Sequence, residues 1–436
     1  MTSGFGRPNA LLLIASDAEV ALGGVMSEQS KIQMKTPFLL QFASSDQSPK
    51  CQPERHLTKP RSAVLALGLL MAVALMGTPQ TGKAQAVWSG LVTPGDWNTG
   101  ANWTGGNAPG TSDVASFSTN NGNQIIRLTI PNTQVAGLVF SNTGTTTIQG
   151  DGTNRTLSLG SAGITINAGA GAVNLGLSNP NGVGLTLTAN QTWTNNSSNT
   201  LTKGNRVGIS FGGFVLTIGG TGNTTSATSL SGAGGSVIKT GTGTLSLTGG
   251  SSSYTGTTTV SGGSMLISGA TDINGTSRLS VASGVTFTNN STTAAFTKSL
   301  TLAEGAIIRG TNGFTPTSIS LTGDLSGALF TTFALGTTSL TKAGAFDLTL
   351  SNINVGTYSV FSGSSIGGTF GTLVVNGTGL SDIGSGNFSG SVGGFGYTFT
   401  NATNQLSVIP EPRAWALMAV GLFALIVMRR RRIAQS

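Results

Sequence analysis

The sequence predicts an all-β body made of many short strands, with one apolar helix near each end. Three observations carry that reading. Apolar residues recur two apart in short runs, such as Thr156–Leu159, Ile164–Ile166, Leu185–Thr188, Leu216–Ile218, Leu245–Leu247 and Leu348–Leu350, which is the spacing of a half-buried strand. Gly, Asn and Ser fence most of these runs and supply the tight corners, some with positive φ, that strands of this length need. No segment between residues 87 and 407 carries a useful helical period. A charged content of only 8% would also suit a disordered chain, but the strand periodicity argues against disorder.

Residues 1–86 read as an N-terminal extension and signal peptide. Lys59 and Arg61 precede an apolar stretch, Ala63 to Met76, and the triplet Ala84, Gln85, Ala86 follows. Basic patch, apolar run and small-x-small site form the layout of a secretory leader, with cleavage expected after Ala86. The apolar stretch is short for a membrane span. The residues ahead of Lys59 have mixed charge and no pattern, so an extended leader and a true start at Met34 both stand.

Composition changes once the ends are set aside. The chain has 22 basic and 14 acidic residues. Eight basic residues precede Val87 and five follow Ser407, while five acids precede and one follows, so the body holds nine bases and eight acids. Nearly all of the net charge of +8 therefore belongs to the ends, the body is near +1, and no nucleic-acid partner is expected. Cys51 and His56, the one Cys and the one His, also precede the expected cut. The body then offers no disulfide, no thiol or imidazole chemistry and no His or Cys metal ligand.

The body opens on Trp88, Trp97 and Trp103, with Asp96, Asn98 and Asn102 among them and Pro109 and Asp113 beyond. One reading is a cap that closes the end of the core. The other is a sugar-stacking platform, since aromatic faces bind pyranose rings; that reading would make an exopolysaccharide the partner.

Residues 87–307 are expected to form a solenoid. The clearest unit runs through Lys239, Gly241, Gly243, Leu245 and Leu247, then Tyr254, Thr255, Gly256, Thr257 and Val260, then Gly263, Met265 and Ile267. It resembles the autotransporter-associated β-strand repeat, with Met265 where that family has Leu. A weaker echo keeps Lys342, Gly344, Leu348 and Leu350. The resemblance implies a right-handed parallel β-helix. The Trp-Asn opening is similar to the start of surface proteins that carry the same repeat. Stacked coils of roughly 20 to 25 residues, rising about 4.8 Å each, would give about 13 to 16 coils and a rod of roughly 60 to 75 Å. Residues 308–407 look less regular, as a separate β region.

Residues 408–436 carry Pro410, Glu411 and Pro412, then an apolar run from Ala414 to Met428, then Arg429, Arg430, Arg431 and Arg432. This order resembles the PEP-CTERM sorting signal of Gram-negative bacteria. The resemblance implies recognition at Pro410, Glu411 and Pro412 by an exosortase-type enzyme, and membrane retention through a transmembrane helix anchored by Trp415 and the four arginines. The apolar run spans roughly 22 Å, short of a hydrocarbon core of roughly 30 Å, so Trp415 and snorkelling arginines are expected to meet the two interfaces. Arginines retained on the cytoplasmic side leave the body outside. The helix stands where an autotransporter-type adhesin would carry a β-barrel translocator.

No catalytic residues are assigned. The eight body acids, Asp96, Asp113, Asp151, Asp272, Glu304, Asp324, Asp347 and Asp382, are scattered along the chain, and even the nearest two, Asp96 and Asp113, are well separated. Polysaccharide-cleaving β-helix enzymes need converging carboxylates. Gly-rich runs such as Gly219 to Gly222 lack the Lys-Ser or Lys-Thr of a phosphate loop. No cofactor is expected. The expected function is an exported, non-enzymatic structural protein, held at the membrane by its tail and then placed at the cell surface or in the extracellular matrix. A carbohydrate- or surface-binding adhesin is the alternative.

Overall fold

The computed structural model describes residues 85–90, 94–119, 122–177, 180–326, 333–334, 338–363 and 365–433. All of them belong to the second of two compact units, Thr78–Ser436. The expected signal helix and Ala84 lie outside the described residues.

The body is all-β and winds as a right-handed parallel solenoid of about 11 turns. Each regular coil has three faces. On the first, Asn132–Val135 lies under Arg155–Leu159, Val183–Leu187, Ile209–Ser210 and Leu230–Ser231. A bulge between Val135 and Gly137 bends the chain onto the second face. There the stack runs unbroken from Gln85–Val87 to Thr372–Val375. The third face runs from Gly95–Asp96 through Thr146–Gly150 and Thr244–Leu247 to Phe361–Ser362.

Period-two alternation does what it should in such a wall. In the rung Ser236–Lys239 the side chains of Val237 and Lys239 are buried, while Ser236 and Ile238 are only partly covered. Ile218, Lys239, Val260, Val281 and Leu302 stack in register at one constant interval. A slip of one residue would turn that column outward, so the buried face fixes the register. Coils at the two ends are longer: the steps from Val87 to Ser116 and from Leu348 to Val375 each take more chain than the step from Lys239 to Val260. Longer coils use more chain per 4.8 Å step, and the stack spans roughly 53 Å.

Stacking does not change at residue 308, which lies inside the rung Ile307–Gly310. The architecture changes after Val375. Thr378–Gly384, Asn387–Val392, Phe395–Thr400 and Gln405–Pro410 form an antiparallel meander on the last rung, and Gly356–Ser359 pairs with its final strand. Phe399 of the meander packs edge-on to Phe346 at 5.6 Å, and Phe346 stacks on Phe370 at 4.4 Å. The open end of the core is thereby covered.

The tail forms one helix, Pro412–Ile433, of 22 residues. Its expected role as a transmembrane helix needs correction, because no helix among the described residues is long and apolar enough to cross a membrane. The physical reason is length: the apolar run reaches about 22 Å, and Arg413 and the Arg429–Arg432 run put charge at both ends.

Candidate functional site

Three places were singled out by sequence, and stacking treats them differently. The tryptophans come together at the first coil. Trp88, Trp97 and Trp103 are 0%, 0% and 2% exposed. Trp103 meets Trp88 and Trp97 edge-to-face at 5.0 Å each, and all three pack on Phe117, which stacks on Phe140 at 4.9 Å. The Trp103 indole donates to the Trp97 carbonyl at 2.6 Å, and the backbones of Trp88 and Trp103 form an antiparallel bridge. Sugar stacking needs an open ring face, and none is open here. The platform reading is therefore corrected: the three rings close the core end.

The repeat coil is built from its motif residues. Lys239 is 2% exposed although it stands in an apolar column. Its ammonium donates to the carbonyls of Thr240, Gly241 and Gly262, tying one coil to the next. Burial pulls its pKa down to about 8. A Cβ on Gly241, whose φ is +65°, would run into the Gly220 carbonyl one coil below, so only glycine fits the corner. Tyr254 is buried against Phe211, and its hydroxyl shares a 2.5 Å hydrogen bond with Thr258, which in turn donates to Thr276. Burial raises the Tyr254 pKa. Most of the motif residues fill the core, shape a corner or satisfy a buried polar group, while Thr255 is exposed and accepts from the Gly234 amide.

Residues 237–267 match the Passenger-associated-transport-repeat family model. The match covers one coil and a half of the solenoid. No curated protein and no solved structure matches the chain. The repeat and the solenoid together fit an exported or cell-surface protein.

Two further lysines follow the logic of Lys239. Lys203 is 1% exposed, donates to the carbonyls of Gly204 and Val207 at 2.7 Å each, and has a pKa lowered to about 8 by burial. The sequence reading passed over it, because a lone lysine carries no sign of burial until the apolar columns are aligned. Lys342, the echo of the motif, donates to the Asn401 carbonyl at 2.9 Å and to Asn404 Oδ1 at 2.7 Å, and burial lowers its pKa too.

Stacking also brings two distant acids together. The Asp324 amide donates to Glu304 Oε2 at 2.9 Å. Asp324 in turn accepts from the Ser326 amide and Asn352 Nδ2, which hold its pKa down. Asp96 reaches across to the next coil, and most of the other acids act locally. Asp96 pairs with Arg127 and Asp151 with Arg155, while Asp113, Asp272 and Asp382 accept backbone amides in turns. Among the described residues no three His, Cys, Asp or Glu converge as metal ligands.

The tail junction is the remaining site. Pro410 ends the last strand of the meander, opposite Phe395, and the Glu411 amide donates to the Gly394 carbonyl at 3.1 Å. Pro412 opens the helix, the position where proline's missing N–H costs nothing. Trp415 and Arg429 to Arg432 lie in the helix. Leu417, Met418, Val420, Leu422, Phe423, Leu425, Ile426 and Met428 are all exposed, from 47% to 74%. Ala86 sits in the first strand, opposite Ala115, so the cut expected after it falls inside a paired segment.

Proposed function

We propose that this chain is an exported, non-enzymatic structural protein of the cell surface or extracellular matrix, delivered through its tail by an exosortase-type enzyme. The observation that carries the reading is the tail junction. A Pro-Glu-Pro element stands between the last strand of a closed solenoid and a helix whose apolar side chains are exposed around its whole surface. An apolar surface of that kind needs a nonaqueous partner. Its length favours seating along the interface, with the arginines among the headgroups. Motif residues that serve packing, and charged groups such as Lys203, Lys239, Asp96 and Asp151 that serve carbonyl ties and ion pairs, support a structural role. An exopolysaccharide partner would have to bind elsewhere than the tryptophans.

Exporting cells provide the test. Glu411→Ala is expected to keep the helix attached and the protein in the membrane fraction, while the parent chain is released with a shortened tail. Release of the variant with the same intact mass as the parent would sink the sorting reading. Specific turnover of a polysaccharide by the purified body would sink the structural one.

A further inference from the structure

We propose that the antiparallel cap acts as a stop that sets where the tail can be cut, confining the cut to residues 409–412 and leaving the chain up to Val408 in the sheet. This rests on the tail-processing reading above and adds what the fold itself contributes to it.

The last strand is held unevenly. From Gln405 to Val408 it is paired on both sides, with Gly356–Ser359 on one and with Tyr397–Thr400 on the other. Leu406 and Val408 point into the core and are 1% and 0% exposed. The turn that leads into the strand is tied to the solenoid, because Lys342 donates to the Asn401 carbonyl and to Asn404 Oδ1. At Ile409 the support changes. Ile409 and Pro410 pair only with Gly396 and Phe395, and the Ile409 side chain is 52% exposed. Pro410 brings no N–H to the ladder. Beyond it the Glu411 amide bonds to Gly394, in a turn where Gly393 and Gly394 have φ of +60° and +85° and open space where side chains would be.

An enzyme that cuts a backbone must take the chain in extended form, commonly as an added strand. Residues 409–412 can be lifted away without touching the two-sided ladder or the core. Lifting residues 405–408 would break both ladders and expose Leu406 and Val408. The boundary between the two lies at the end of Gly356–Ser359, a strand far upstream in the sequence, where Gly356 pairs with Val408.

Two readouts test this on the full chain: intact mass of the product from exporting cells, and the endpoint of tail trimming by a broad-specificity protease on purified protein. The parent is expected to end within 409–412 in both. Gly356→Pro removes the ladder donor that faces Val408 from the upstream strand, and Lys342→Met frees the turn before the last strand. Either variant is expected to make ends within 405–408 the main trimming product. A parent product that ends before Ile409, trimming that runs through 405–408 without pause, or unchanged endpoints in both variants would overturn the stop. If cells leave the helix attached while trimming of the parent still halts at 409–412, the sorting reading fails and the stop stands.

Discussion

Three lysines sit inside the wall or under the cap with carbonyl and amide oxygens, not carboxylates, as their hydrogen-bond partners. A buried ammonium is tolerable only where several acceptors replace its water. The solenoid corner supplies them, since it turns peptide carbonyls toward the position that Lys203 or Lys239 occupies. A pH dependence follows. Folded Lys203 and Lys239 lose their protons near pH 8, whereas unfolded lysine holds its proton to 10.5. Between those values the unfolded chain binds more protons, so stability rises with pH across that window and is flat below it. Tyr254 works the other way. Its raised pKa withdraws stability as pH climbs past the ordinary tyrosine value of 10.0. The urea midpoint should therefore increase from about pH 7.5 to about pH 9.5, and Lys239→Met should reduce that increase. An unchanged slope in the variant would show that Lys239 keeps its ordinary pKa. At the other end of the core, Trp103→Ala should cost about 3–5 kcal/mol, measured by denaturant unfolding, because the ring touches Trp88, Trp97 and Phe117 at once.

A single coil is the next unit. Its regular form, the step from Ile218 to Lys239 and on to Val260, appears where Gly220 and Gly241 let one backbone pass directly over another. Gly241→Ala puts a methyl group into the Gly220 carbonyl and leaves a non-glycine residue at φ +65°. It should cost on the order of 1–3 kcal/mol, read as a lower denaturation midpoint. A variant of unchanged stability would mean that the corner relaxes freely. The spacing of Lys239, Gly241, Gly243, Leu245 and Leu247 made this coil legible in the sequence, because each residue type has one mechanical use there. Coils with Phe296, Phe314 or Phe361 at their corners were not legible, since the pairing there shrinks to single bridges or a two-residue rung with no alternation to read. The meander was also hidden. Its strands look like solenoid strands locally, and only their antiparallel pairing sets them apart.

For the whole molecule, the two ends of the core decide how it behaves. Coils in a stack are stabilised mainly by their nearest neighbours, so damage at one end should stay there. Phe399→Ala removes the meander's contact with Phe346 and Phe370. Hydrogen exchange should then lose protection first in the rungs Ala345–Ser351 and Thr372–Val375, while Gly137–Phe140 keeps its own. Uniform loss along the stack would show a single cooperative unit. By itself the sequence determined the all-β class, the position of the repeat, the near-neutral body and the order of elements in the tail. Those properties are local or compositional, and none of them needs the pairing of one coil with the next. Only the tertiary structure decided that three tryptophans face inward, that Lys203, Lys239 and Lys342 are buried, that Glu304 meets Asp324, and that the strand before Pro-Glu-Pro is clamped up to Val408. These depend on which residues share a column, and that register comes from burying one face of every rung along the full stack.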